Sequence, residues 1–101
     1  DLRMSRGLGD VYKRQYMKYA ALELAGKGIR CNAVQPGRIN TPLISNRLLS
    51  EEDVIKDIEQ YPMKRYGKPE EVAFAIIYLL SDASAWVTGT NLVIDGGRSL
   101  K

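Results

Sequence analysis

Residues 29–37 read IRCNAVQPG and residues 91–97 read NLVIDGG, and these two stretches decide the fold. Ile29–Val34 is a short β-prone run closed by Pro36-Gly37, and Leu92-Val93-Ile94 is a continuous apolar run closed by Asp95-Gly96-Gly97. More than fifty residues separate them, far beyond the reach of a hairpin. A crossover of that length, with helices inside it, suits two parallel strands of one sheet. The unbroken apolarity of the second run predicts a strand buried on both faces.

Working outward, YMKYAALELA at residues 16–25 is rich in helix formers and sets Met17, Ala20 and Leu24 on one face. Gly26 and Gly28 stop that helix, because glycine accepts the left-handed conformation of a helix C-terminus. Between the strands, Thr41-Pro42 reads as a cap followed by proline in the first turn. Ser50, followed by Glu51, Glu52 and Asp53, has the spacing of a capping box, and Val54, Ile55 and Ile58 give its helix an apolar side. Pro69-Glu70-Glu71 opens a further helix with acidic groups where the dipole favours them. Its buried stripe is expected at Val72, Ile76, Leu79 and Leu80, with Ala73 and Ala75 allowing close approach. Residues 1–15, DLRMSRGLGDVYKRQ, carry no sustained periodicity and are interrupted by Gly7 and Gly9. They read as a non-matching segment, foreign or disordered, ahead of a coherent unit at 16–101. The pattern is α/β, but two strands leave sheet edges uncovered, so it resembles the end of a larger doubly wound parallel sheet.

Composition narrows the function. The 101 residues are 45% hydrophobic and 27% charged, as in a folded globular chain rather than a disordered or collagen-like one. No apolar run approaches the roughly 20 residues of a bilayer span, so no membrane role is expected. The absence of histidine excludes Ser-His-Asp, Cys-His and HExxH sites, and a single cysteine, Cys31, excludes a disulfide framework and a cysteine-cluster zinc site; no metal is expected. Of the net charge of +3, residues 1–15 supply most, with four basic groups against two acidic; beyond them eleven basic groups face ten acidic ones. Such alternation describes a solvated surface and gives no footprint for nucleic acid.

ALELAGKGIRCNAVQPGRINTP at 21–42, YGKPEEVA at 66–73 and YLLSDASAWVTGTNLVIDGG at 78–97 together resemble the C-terminal third of the short-chain dehydrogenases/reductases. The likeness runs from about Tyr16 to Gly97 and is nearest to the 3-oxoacyl-carrier-protein reductase-like or sugar/alcohol dehydrogenase-like members, which it leaves unseparated. It implies the C-terminal part of a Rossmann-type sheet from an NAD(P)-dependent oxidoreductase, with NAD or NADP as cofactor, and a hydride passed between nicotinamide and a carbonyl or alcohol substrate. It further implies a cytoplasmic homo-oligomer, dimer or tetramer. The family's glycine-rich loop and its catalytic Asn and Ser lie upstream of these motifs. Its usual spacing from Glu23 puts the catalytic lysine and tyrosine at positions 10 and 6, where this chain has Asp10 and Arg6. Neither Tyr12 nor Tyr16 is followed four residues later by lysine, so no catalytic residue is assigned and the 101-residue chain is expected to be inactive by itself. The alternative function is a catalytically dead oligomerisation module.

Ligands of open α/β sheets bind beyond the carboxyl ends of the strands. Pro36 and Gly37 stand there, proline stiffening the turn and glycine permitting close backbone approach. The resemblance sets Pro36 and Gly37 against the nicotinamide, Ile39 against its carboxamide through the backbone, and the Thr41 hydroxyl near the carboxamide or pyrophosphate. These four are the candidate cofactor-binding residues; a plain turn with a helix cap at Thr41 is the competing reading. Asn32, disfavoured in a strand, is read as structural, and Cys31 as a small apolar filler. Residues 43–66, with Leu43, Ile44, Leu48, Leu49, Tyr61 and Met63, correspond by resemblance to the segment that closes over substrate, or else form a hairpin on the core. Lys64 and Arg65 either face an acidic ligand or are ordinary surface charge. Trp86 is a candidate for a subunit contact, and Asp95-Gly96-Gly97 for turn chemistry.

Overall fold

In chain order the fold comprises α1 (Leu2–Ala25), β1 (Ala33–Pro36), α2 (Glu51–Ile58), α3 (Pro69–Leu80) and β2 (Asn91–Ile94), with 3-10 turns at Asp82–Ser84 and Arg98–Leu100. A computed structural model is the source of the coordinates; it describes residues 2–40 and 50–100, with residues 2–10 in backbone only. The two strands form one sheet. Ala33 N–H donates to Thr90 O and Gly37 N–H to Ile94 O, both at 2.9 Å. Each strand advances by the same number of residues, in the same sense, between those bonds, so the pair is parallel as the sequence predicts. Alternation sends every second N–H of β1 toward β2, and the N–H that Pro36 lacks belongs to the other edge, so the proline removes no rung.

Strand boundaries differ from the expectation. β1 starts at Ala33, not Ile29, because the backbone ahead of it is claimed by the 81–90 connection: Gly89 N–H donates to Cys31 O at 2.8 Å, and Cys31 N–H donates to the Thr88 hydroxyl at 3.1 Å. β2 is not buried on both faces either. Val93 points to the side opposite Leu92 and Ile94 and is 43% exposed.

Two compact units divide the chain. The first is Asp1–Ala33 with Tyr78–Leu92. Met17 and Ala21 are its buried helix residues, with Ala20 and Leu24 half-buried beside them, which is the face read from the sequence. The α1 helix ends at Ala25 and its closing turn is made by Gly28 as expected, with a φ of +76° and a bond from its N–H to Ala25 O, whereas Gly26, expected to share that role, takes no positive φ. The helix begins at Leu2 rather than Tyr16, however. A helical glycine costs only about 1 kcal/mol relative to alanine, and Gly7 and Gly9 sit among helix formers. Opposite α1, Arg30 and Asn32 bind the helix-to-strand connection. Asn32 donates to Val87 O at 3.0 Å and accepts from Thr90 N–H at 2.9 Å, so its amide is structural as expected. Arg30 reaches the Ser84 hydroxyl at 3.0 Å. Ser84, 1% exposed, lies 3.0 Å from Leu79 O, so every polar atom of this small buried cluster has a partner.

The second unit is Val34–Ile77 with Val93–Lys101. Its α2 starts where the sequence says, Asp53 N–H donating to Ser50 Oγ at 3.1 Å. Val54 and Ile58 are half-buried while Ile55 is 62% exposed. Along α3 the inward positions are Val72, Ala75 and Leu79; the expected members Ile76 and Leu80 are exposed. A stripe at 72, 75 and 79 follows the 3.6-residue period, whereas Leu80 lies a further 100° round the helix. Among the described residues no helix is long and apolar enough to cross a membrane.

Removing the Asn32 side chain strands a carbonyl and an N–H of the 87–90 connection. Asn32→Ala is expected to destabilise the chain by about 1–2 kcal/mol, read from the urea midpoint at unchanged m-value; a midpoint equal to wild type would contradict the clamp.

Candidate functional site at the carboxyl ends of the strands

Gly37 leaves β1 and Asp95 leaves β2 at the same end of the sheet, and a cavity of about 110 Å³ opens between these exits. Gly37, Ile39, Tyr61, Met63, Ile94 and Gly96 contribute to its wall. The two chain exits approach too closely for any side chain at 37: a Cβ there would lie 2.9 Å from the Asp95 Cβ, 3.1 Å from its Cα and 3.2 Å from the Tyr61 ring. The Asp95-Gly96-Gly97 turn has the expected chemistry. Gly96 and Gly97 take φ of +60° and +89°, and the Asp95 carboxylate accepts from Gly97 N–H at 3.0 Å and Ser99 N–H at 2.9 Å. Loss of solvation pushes the Asp95 carboxyl up, but the hydrogen bonds from Ser99, Gly97 and Arg98 more than reverse it and leave it below the usual value.

Beyond Gly37 the backbone makes an isolated parallel bridge, Ile39 to Gly67. Gly67 N–H donates to Arg38 O at 3.0 Å and Asn40 N–H donates to Gly67 O at 2.8 Å. With the flanking groups turned to Gly67, extended geometry turns the N–H and C=O of Ile39 itself to the opposite edge. A donor and an acceptor side by side on one residue are complementary to a primary carboxamide, which offers an acceptor and a donor in the same spacing.

Tyr61 is the buried aromatic beneath this turn, 7% exposed. Its hydroxyl accepts from Arg38 N–H at 3.1 Å. The Arg38 guanidinium pairs with Asp57 on α2, and the Tyr66 hydroxyl donates to the same carboxylate oxygen at 2.6 Å. Arg38 also lies 6.0 Å from the Tyr66 ring centroid, and Tyr61 meets Tyr66 edge-on at 6.0 Å. Burial, and then its donation to Asp57, raise the Tyr66 phenol above the ordinary tyrosine value.

Arg65 grips Glu71 with two bonds, at 2.6 and 2.9 Å, while Glu71 accepts from Lys68 N–H at 2.8 Å across the first turn of α3. Arg65, followed by the Lys68 N–H, lowers Glu71 to about 2. Lys64 Nζ lies 3.0 Å from a Glu59 carboxylate oxygen. Both cations are therefore engaged with acids of the same chain, which favours the surface reading of the pair over an acidic ligand.

Of the four candidate cofactor residues, Pro36, Gly37 and Ile39 come together at this strand exit, and Thr41 lies outside the described residues, as do Leu43, Ile44, Leu48 and Leu49 of the expected closing segment. Tyr61, expected to add apolar surface over substrate, is instead packed under Gly37. Sequence reasoning missed Arg38, Asp57 and Tyr66 as a group; their separations follow no local period, and only the residue types hinted at pairing. Among the described residues no group of three or more acidic or thiol side chains could hold a metal.

A family model described as Enoyl-(Acyl carrier protein) reductase matches residues 13–99. Cyclohexanol dehydrogenase of Acinetobacter sp. (strain SE19) is 48% identical over 84 residues, which are 83% of this chain and 32% of that protein. A short chain dehydrogenase family protein from Francisella tularensis superposes with a TM-score of 0.82 at 34% identity, over 93% of this chain and 43% of the other. A 4-hydroxyisoleucine dehydrogenase complexed with NADH gives a TM-score of 0.81 at 30% identity, over 89% of this chain and 37% of the other. The chain spans about a third of the length of the curated relatives it matches.

Two outcomes follow from the site. Gly37→Ala forces the Asp95 backbone to move and is expected to cost about 1–3 kcal/mol, measured by thermal or urea unfolding; full stability in the variant would mean that the exits are not in contact. Glu71, lowered in the folded chain, contributes stability that is complete above its ordinary value near 4.5 and is lost as pH falls through about 2. Wild type should therefore lose its advantage over Glu71→Gln between those pH values in an acid titration followed by circular dichroism. A constant gap down to pH 2 would assign the effect to something other than this carboxylate.

Proposed function

The chain belongs to the short-chain dehydrogenase/reductase family, and from that premise we propose that it is the C-terminal portion of an NAD(P)-dependent oxidoreductase acting on a small carbonyl or alcohol substrate. One observation carries the cofactor assignment: the Ile39 N–H and C=O, turned away from Gly67, sit just past a glycine that can bear no side chain. That edge fits a carboxamide, and Pro36-Gly37 offers a flat backbone surface to an aromatic ring. Pro36, Gly37 and Ile39 are the residues of this chain that would hold the nicotinamide end of NAD or NADP, with Thr41 completing the set. The bound nicotinamide supplies or receives the hydride. What these residues contribute is binding, orientation and shielding of one ring face from water, which are positioning effects. No residue of this chain is assigned proton transfer: Asp10 and Arg6 stand at the positions of the family's catalytic lysine and tyrosine.

A second reading, an oligomerisation module without catalysis, is favoured by the apolar exposure of Trp86 (99%), Leu80 (79%) and Phe74 (66%). Both readings are compatible with a homo-oligomeric, cytoplasmic enzyme as the parent. Size-exclusion chromatography at several concentrations, with and without NADH, separates them: the module predicts concentration-dependent association indifferent to the cofactor.

The cofactor assignment is tested by nuclear magnetic resonance on the 15N-labelled chain titrated with nicotinamide, NADH and NADPH. Saturable shifts centred on the Gly37 and Ile39 amides are expected, at millimolar affinity because only one end of the cofactor site is represented. Shifts confined to other residues, or none, would sink the assignment. The same preparation is expected to show no NAD(P)H-dependent carbonyl reduction above background, and robust turnover would refute the absence of a proton donor.

A further inference from the structure

Tyr61 has an unusual use of a tyrosine. It is one of the few buried side chains among the described residues, it packs its ring edge 3.2 Å from where a Gly37 side chain would begin, and it spends its hydroxyl on a backbone N–H, that of Arg38. The same residue, Arg38, has its carbonyl held by Gly67 and its guanidinium held by Asp57, which Tyr66 also binds. Arg38 is thus fixed at its N–H, its C=O and its side-chain end. The peptide units on both sides of Arg38 are those that set the direction of Gly37 and Ile39.

We propose that Tyr61 and the Arg38–Asp57–Tyr66 cluster are positioning residues that fix the peptide of residues 37–39, holding the Ile39 N–H and C=O in the orientation that receives a carboxamide. The proposal rests on the cofactor reading above for the identity of the ligand, and on the hydrogen bonds alone for the positioning. Neither tyrosine touches the ligand in this scheme. Tyr61 acts through the Arg38 N–H, and Tyr66 acts through Asp57, which would otherwise be free to release the arginine. The cluster joins the β1 exit to α2 and to the 61–67 loop that follows α2, about twenty residues further along the chain, so its natural role is to make one rigid edge of them. A carboxamide bound to a rigid edge loses less of its interaction to ordering than one bound to a loose loop.

Tyr61→Phe keeps the ring under Gly37 and deletes only the hydroxyl, so it tests positioning with the packing retained. In the 101-residue chain, amide hydrogen exchange at Arg38, Gly67 and Asn40 is expected to speed up about tenfold, the factor that losing one hydrogen bond produces. Exchange at Ala33 and Gly89, held by the Asn32 side of the fold, should stay within twofold of wild type. Nicotinamide affinity, read at the Ile39 amide, should fall about fivefold. Asp57→Asn, which keeps the shape and removes the charge, should loosen the same amides to a smaller degree. Uniform acceleration at every amide would show that Tyr61 merely stabilises the chain, and unchanged exchange at Arg38 would show that its hydroxyl holds nothing; either overturns the proposal. Equal nicotinamide affinity in wild type and Tyr61→Phe would overturn it too. If wild type binds no nicotinamide at all while the exchange effect is local, the cofactor reading fails and the positioning role stands.

Discussion

Parallel strands cannot be joined by a tight turn, and that constraint organises the rest of this chain. The ladder between β1 and β2 is anchored by the Ala33–Thr90 bond at one end and the Gly37–Ile94 bond at the other. Closing so long a connection costs loop entropy that a four-residue strand pair recovers only in part. Side chains supply the remainder. At the entry to the ladder Asn32 and Arg30 tie residues 84–90 down; at the exit Gly37, Asp95 and Tyr61 pack without room for a further atom. The entry end is held by polar bonds, and the exit end adds to its own polar bonds a close steric fit at Gly37.

The two ends also differ in what their backbone groups bond to. At the entry end Cys31 N–H and C=O, Ala33 N–H and Thr90 N–H all have partners within the chain. At the exit the strand direction continues past the end of β2, and the Ile39–Gly67 bridge occupies only one edge of the backbone. A backbone donor and acceptor aimed outward cost little while water reaches them and gain much when a ligand excludes it. Carboxyl ends of parallel strands in open sheets are binding sites for this reason.

Much of this was legible in the sequence because it is written locally. Ser50 before three acidic residues, Pro69 before two, Gly28 after a helical run and Asp95-Gly96-Gly97 after a strand each encode their structure within four residues, and each takes the expected form. The parallel pairing was legible from the spacing, whereas Pro36, read as lying past a strand that ends at Val34, is the last residue of β1. What escaped depends on distant partners. Nothing in IRCNAV says that residues 29–32 will bond to 84–90 rather than extend the strand. Tyr61 looks like any apolar loop residue until Gly37 is placed above it. Arg38, Asp57 and Tyr66 meet only through the tertiary fold. The exposed faces of α3 and Val93 differ for a related reason: apolar pattern predicts that a face can be buried, and the neighbour that buries it has to be present.

The loop carrying Tyr61 shows how strongly the fold insists on this edge. Lys64 has φ of +58°, a conformation that costs a non-glycine residue on the order of 1 kcal/mol. The cost is offset locally, since Lys64 N–H donates to Tyr61 O at 2.8 Å and its amine bonds Glu59 at both the backbone and the carboxylate. One residue earlier, Met63 N–H donates to Gly96 O at 3.1 Å. The left-handed residue reverses the chain between these bonds, so that Tyr61 can turn inward under Gly37 while Arg65 turns outward to Glu71. A relaxed loop would release one of the two. The positive φ at Lys64 thus sits where the chain turns between Tyr61 and the start of α3.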